Sequence, residues 1–416
     1  MSDAFIVGIH STRAGRLDDS VYELARQAVM GALQDARIDG DVVGHIYFSN
    51  AYLEFWGQRM CKGQVCTAPL VADKVLPPSV PVTNVEGACA SGTLAVNAAM
   101  TTVLSGRADV AIAVGVEKMW DPTRPGEIFN YVGKSADQMN PERGLEFYKR
   151  VAADEGVRFA PAPGHSFAMD VYALLAATHM QHYGTTARQM AAAAAKNHTN
   201  AVDNPRAQYR FPMDVDAVLA DRTVTAPLTR AMCAPIGDGG AAAIVCSSAF
   251  LAALPSGVRA RAVRIRGQAL AGARMDGSWE SDRAPVVAAR RAYAEAGIQP
   301  KAVDIVELHD ATSFAEIHLV EDLGLCSRGQ GGPFTESGAT RRDGDTPVNV
   351  SGGLVSKGHP VGATGIMMLY ELCLQLRGEA AELQVPNVRL GLAENGGGMA
   401  GRDLAITAVT ILEGPA

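Results

Sequence analysis

Residues 85–119 read VEGACASGTLAVNAAMTTVLSGRADVAIAVGVEKM, and the fold turns on this stretch. The preceding PVTN and VEGACA (81–90) together read as a strand running into a tight turn. SGTLAVNAAMTTVLSG (91–106) carries small and apolar residues on every face of a helix, so that helix is expected to be buried all round. DVAIAVGVEKM (109–119) opens on a nearly unbroken run of small and β-branched apolar residues, the pattern of a strand covered on both faces. Strand, buried helix and buried strand in succession make the unit of a layered α/β protein.

The same alternation extends outward. Residues 20–37 hold a helical stripe of Val21, Leu24, Ala25, Ala28 and Ala32, and VVGHIYFS (42–49) follows as a strand. Residues 120–165 break the rhythm with Pro, Gly and charge (DPTRPGE, NPERG, APAPGH) and read as a covering excursion rather than core. Helical patterns resume over 166–203, and GDGGAAAIVCS (237–247) reads as a strand before a break at LPSG (254–257). Beyond that break the first pattern returns. ALQDARI (32–38) aligns without gaps on AYAEAGI (292–298), an offset of 260, and the same offset sets the strand at 42–51 on VDIVELHDA (303–311). PVTNVEGACASG pairs with PVNVSGGLVSKG (347–358), and RADVAIAV (107–114) with GRDLAITAV (401–409). Three matches in one order describe a duplicated α/β unit, with a first half over 1–254 (its excursion reaching to about 203) and a second over 255–416.

Composition bounds the function. The chain has 416 residues, 48% hydrophobic, with 37 basic against 44 acidic side chains, a net charge of −7. That excludes a disordered chain and disfavours nucleic acid or an anionic membrane as the main partner. No window is long and apolar enough for a membrane span, and neither end reads as a targeting signal, so the expected compartment is the cytoplasm. Seven scattered cysteines suit free thiols in a reducing compartment. Cys61 and Cys66 lack a matching second pair, so no metal centre is assigned.

Four places carry chemistry. Cys89 sits between a strand and a small-faced helix, where backbone N–H groups and the helix dipole are expected to favour thiolate, and Gly87, Ala88, Ala90 and Gly92 leave room for a substrate. His359, in SKGHPVGATG (356–365), lies in a glycine-rich turn before another apolar helix. The duplication sets that turn opposite the Cys89 turn, where an imidazole can take the thiol proton. His309, in LHDATSF (308–314), ends a strand, where α/β sheets place their sites. In ENGGGMAG (394–401), three glycines ahead of a strand offer bare N–H groups to an oxyanion.

GACASG, HDATSF, SKGHPVGATG and the late GGG loop, in this order, resemble the thiolase superfamily over essentially the whole chain, together with GVEKM and APLTRAMCAPIGDGGAAAI. The His-Asp form of the third motif resembles the sterol-carrier-protein-type thiolases. The resemblance implies a five-layer αβαβα fold of two duplicated α/β halves, a homodimer or dimer of dimers, and acyl-CoA substrates, with CoA as substrate and no permanently bound cofactor. It makes Cys89 the acyl-accepting nucleophile, His359 its activator, and His309 the group that polarises the thioester oxygen or enolate. It puts an oxyanion hole at Cys89 with Gly396 and Gly397, and Met169 in the acyl pocket. Two departures stand out: Glu394-Asn395-Gly396 occupies the stretch where relatives carry a second catalytic cysteine, and Ala311 stands where sterol-carrier-type enzymes often have one. Glu394 and His309 are then the candidates for moving a proton at carbon.

These features imply an acyl-CoA C-acyltransferase that cleaves a 3-oxoacyl-CoA thiolytically, or runs in reverse, through an acyl-Cys89 thioester. The alternatives are a condensing or aldolase-like homologue and an acyl-CoA-binding subunit that needs a small zinc-ribbon/OB-fold partner. Phe129, Tyr131, Phe147 and Tyr148 are candidates to line a bulky acyl pocket, and Lys134, Arg143, Lys149 and Arg150 to meet CoA phosphates.

Overall fold

A computed structural model describes residues 3–132, 137–162, 166–274, 279 and 281–415. Lys134 therefore lies outside the described residues. Strands β1 (Ala4–Ser11), β2 (His45–Ser49), β3 (Val82–Val85), β4 (Val110–Glu117) and β5 (Gly239–Ser247) lie in the order β3-β2-β4-β5-β1. Strands β6 (Val263–Gly272), β7 (Ile305–Leu308), β8 (Leu390–Ala400) and β9 (Asp403–Glu413) lie in the order β6-β9-β8-β7, and a parallel bridge from Val306 to Val348 extends the outer edge. The second set thus repeats the first in mirror order, which makes β8 the counterpart of β4 and overturns the match of 107–114 with 401–409. β1 and β6 pair antiparallel, with Ala4 opposite Ile265 and Ile6 opposite Val263, and join all nine strands into one sheet.

The helices that position the site are α1 (Val21–Ala36), α2 (Ser91–Leu104), α3 (Phe167–Tyr183), α4 (Ala187–Ala201), α5 (Ala284–Ala296), α6 (Ser313–Asp322) and α7 (Thr364–Arg377). Side chains alternate across a strand, so each stretch of sheet feeds two cores. Ala111, Ala113, Ala241 and Ala243 face α2 and α7, whereas Ile112, Val114, Ala242 and Ile244 face α1. In the second set Ala393 and Leu412 face α7, while Leu392, Val409 and Ile411 face α5, α6, α3 and α4. The result is five layers, helix–sheet–helix–sheet–helix, as the thiolase resemblance implies. The middle layer is thin because its residues are small: a Cβ on Gly92 would stand 3.1 Å from the Gly362 oxygen and the Gly365 nitrogen.

α1 begins where its sequence says it should. Ser20 accepts the Glu23 N–H, and the Glu23 carboxylate accepts the Ser20 N–H at 2.6 Å, a capping box that satisfies two otherwise orphaned donors. The excursion at 120–165 differs from its sequence reading, because part of it is core. Helix Pro141–Glu155 buries Tyr148, Val151 and Ala152 against the second set, and the Tyr148 hydroxyl donates to the Gly401 carbonyl at 2.8 Å. Three apolar residues at helical spacing suffice to dock a segment whose average composition is charged.

Candidate active site

Cys89 lies in a single 3-10 turn, Ala88–Ala90, at the end of β3 and ahead of α2. Ala88 holds a left-handed φ of 50°, a backbone that non-glycine residues adopt at a cost, and this bend turns the sulfur out of the chain. The Ser91 hydroxyl braces the bend, donating to the Ala88 carbonyl at 2.6 Å and accepting the Gly87 N–H at 2.9 Å. The sulfur opens onto a cavity of about 480 Å3 that His309, His359, Gly397 and Gly398 also line.

His359 Nε2 stands 3.3 Å from Cys89 Sγ, while its Nδ1 meets the Thr364 hydroxyl at 2.7 Å. That hydroxyl donates to the Pro360 carbonyl at 2.9 Å, so it accepts the Nδ1–H of His359, and the neutral ring turns an unprotonated Nε2 toward the Cys89 thiol. The His309 ring stacks edge-to-face on His359 with centroids 5.1 Å apart. His309 is almost fully buried, and neither ring nitrogen has a protein partner.

The electrostatics reverse one sequence expectation. Burial pushes the Cys89 thiol up to about 12, with the Glu117 carboxylate adding to the rise, and the N–H groups of Cys89 and Gly398 only partly oppose it. Cys89 precedes the helix inside a low-polarity floor, so desolvation outweighs the dipole that was expected to favour thiolate. Burial also drives His309 down to about 4 and His359 well below its ordinary value, His309 adding to the latter. The resting pair is neutral thiol and neutral imidazole.

The glycine loop is also placed differently. Gly396, Gly397 and Gly398 lie inside β8 rather than ahead of a strand. β7 pairs with β8 only as far as Glu394, so beyond it the backbone edge facing the Cys89 turn is unpaired by strand. A Cβ on Gly397 would overlap the Gly87 carbonyl, which is why the two backbones can approach this closely. Gly398, not singled out in the sequence, presents its N–H to the Cys89 sulfur.

Glu394 stands one step back. Its carboxyl is fully buried, accepts the His309 backbone N–H at 3.4 Å and is not among the cavity-lining residues. Burial raises it to about 8, so it is largely protonated at neutral pH. Gly396 likewise does not line the cavity, whereas Met169 does.

Of the candidate pocket aromatics only Phe129 lines the cavity; Phe147 and Tyr148 pack into the outer core, and Tyr131 stacks edge-on against Phe55. Arg143, Lys149 and Arg150 are not cavity residues, while Arg222 and Arg230 are. Sequence reasoning passed over Tyr52 and Tyr172, which line the cavity with the sulfur, and Glu117. Glu117 accepts N–H bonds from Ala51, Tyr52 and Gly362 and an amide bond from Asn50, all between 2.8 and 2.9 Å. It ties the loop after β2 to the turn that carries His359. The only signal for it was an acid closing the apolar run of 110–116.

The chain matches the family model described as "Thiolase, N-terminal domain" over residues 4–225 and "Thiolase C-terminal domain-like" over 274–412. It is 37% identical over 407 residues to an acetyl-CoA acetyltransferase of Methanothermobacter thermautotrophicus, covering 96% of this chain and 98% of that one. It is 33% identical to sterol carrier protein 2 of Rattus norvegicus, with 94% and 69% covered, and 30% identical to the benzoylsuccinyl-CoA thiolase subunit BbsB of Thauera aromatica, with 96% of each covered. A solved Ltp2-ChsH2(DUF35) aldolase shares the fold at a TM-score of 0.77 with 21% identity, covering 99% and 98% of the two chains. A doubled α/β core with these relatives defines an enzyme that transfers acyl groups to and from CoA. The chain belongs to the thiolase family and is an acyl-CoA C-acyltransferase of the thiolase type. Among the described residues no helix is long and apolar enough to cross a membrane.

Proposed function

We propose that the protein cleaves a 3-oxoacyl-CoA with CoA, or runs the reverse condensation, through an acyl thioester on Cys89. The observation that carries this reading is the 3.3 Å approach of a neutral His359 Nε2 to the Cys89 thiol on the floor of the cavity. As the sulfur attacks the 3-keto carbon, its proton passes to His359. The N–H groups of Cys89 and of the Gly397–Gly398 strand edge receive the developing oxyanion. The C2–C3 bond breaks, and the enolate of the departing thioester keeps its oxygen against the two histidines. His309 relays the proton held on the imidazole pair to C2. In the second half, CoA gives its thiol proton to His359 and attacks the acyl thioester, and Cys89 leaves and recovers a proton. The protons balance without a second cysteine. Glu394 acts through His309, whose backbone it holds.

Arg222 and Arg230 at the cavity wall suit the phosphates of CoA, and Phe129, Met169, Tyr52 and Tyr172 suit an uncharged acyl group. The division at about residue 254, a homodimer, cytoplasmic residence and a small partner protein belong to the same reading; the Thauera relative's name as a subunit favours the partner.

The test is incubation with acetyl-CoA and intact-mass measurement. One acetyl adduct on the wild type, absent from Cys89→Ala, is expected; no adduct on the wild type overturns the reading in favour of a binding subunit. Added CoA with 3-oxoacyl-CoAs, or with malonyl-CoA, then separates thiolysis from decarboxylating condensation.

A further inference from the structure

Cys89 Sγ and one ring nitrogen each of His309 and His359 all lie within 4.8 Å of one another. A thiolate and two imidazoles are the donor set of tetrahedral Zn2+, with Zn–S of about 2.3 Å and Zn–N of about 2.0–2.1 Å, which places donor atoms about 3.4–3.6 Å apart. The Cys89–His359 separation of 3.3 Å is slightly shorter than this, so binding needs only a small outward shift of the pair. His309 is the arm that must swing inward, and it is free to do so because neither nitrogen is held by a protein partner. Both nitrogens are nonetheless buried, so a ligand is what would satisfy them. The cavity supplies the open fourth position, as in sites with three protein ligands and a water.

We infer that the Cys89–His309–His359 cluster captures one borderline divalent cation of the Zn2+ type, reversibly, and that this capture shuts off acyl transfer. Capture forms one metal–sulfur and two metal–nitrogen bonds and releases the Cys89 thiol proton to solvent. Nothing is oxidised or reduced. Hard cations such as Mg2+ are excluded by the donor set. The shut-off rests on the acyl-transfer reading above, because the metal would occupy the three groups which that chemistry uses; the capture itself rests on geometry alone.

The experiment adds Co2+ to the metal-free full-length protein and follows the thiolate-to-metal absorption band, then displaces Co2+ with Zn2+. One equivalent is expected, with affinity falling about tenfold or more in both Cys89→Ala and His309→Ala, and with Mg2+ silent. Circular dichroism checks that each variant is folded, and His309→Asn provides a second replacement of similar shape. In parallel, Zn2+ should block acetyl transfer to Cys89, and a chelator should restore it. No thiolate band in the wild type, or a band of full strength in Cys89→Ala, overturns capture. Capture with undiminished acetylation overturns the shut-off. A protein that binds Co2+ yet never acetylates refutes the proposed function while leaving capture standing.

Discussion

Glu117→Gln is the most informative single substitution. One carboxylate oxygen accepts from Asn50 Nδ2 and Tyr52 N, and the other from Ala51 N and Gly362 N. Glutamine keeps one acceptor and turns an NH2 group toward two donors. Two buried hydrogen bonds are lost, and the donors left without partners cost about 1–3 kcal/mol each, or about 2–6 kcal/mol in all. Burial raises the Glu117 carboxyl above its ordinary value, so removing the charge recovers part of that cost, and a net loss of about 2–4 kcal/mol is expected in urea unfolding. The same change releases Gly362, three residues from His359. A displacement of about 1 Å at a reacting group costs up to about 100-fold in rate, so acetylation of Cys89 by acetyl-CoA should slow by about 10–100-fold. The Cys89 thiol should meanwhile become more acidic, because the Glu117 charge is one of the causes that raise it. Unfolding would also expose the thiol and speed its alkylation, so both rates are compared under conditions where the urea curve shows the variant folded. Unchanged unfolding and acetylation within about twofold of the wild type would refute this account of the carboxylate.

Alkylation of Cys89 by iodoacetamide should keep rising past about pH 10, because the buried thiol is neutral and the thiolate is the nucleophile; a plateau below neutral pH would mean a preformed ion pair. Glu394, raised from 4.5 to about 8, binds a proton in the folded state that the unfolded chain has lost, so its contribution is full below about pH 4.5 and disappears as pH rises to about 8. Glu394→Gln should flatten that part of the stability–pH curve, and an unchanged slope would remove Glu394 as its source. Gly397→Ala should abolish acetylation while the protein stays folded, because the added methyl displaces the Gly87 carbonyl and with it the Cys89 bend; near-normal acetylation would show that the bend tolerates the shift. Tyr148→Phe should lower stability by about 1 kcal/mol, the worth of its bond to Gly401, with acetylation by acetyl-CoA largely preserved.

The sequence by itself determined the periodic elements, the duplication and the chemical groups. Those are local properties: the unbroken apolar run at 110–116, the small faces of 91–106, and the Gly and Pro that surround His359 act through nearest neighbours. The match of 81–92 with 347–358 even predicted that the Cys89 and His359 turns face each other, and the sulfur and imidazole stand 3.3 Å apart. Only the tertiary structure decided the electrostatics and the second layer of support. The charge state of Cys89 follows from how much of the chain packs over it, a sum over distant segments that overrides a local dipole. The unpaired edge of Gly396–Gly398 exists because β7 stops beside Glu394, a fact of register between strands about 85 residues apart. Glu117 joins residues from both ends of the chain, and no pattern in one segment reveals what a buried acid holds in another.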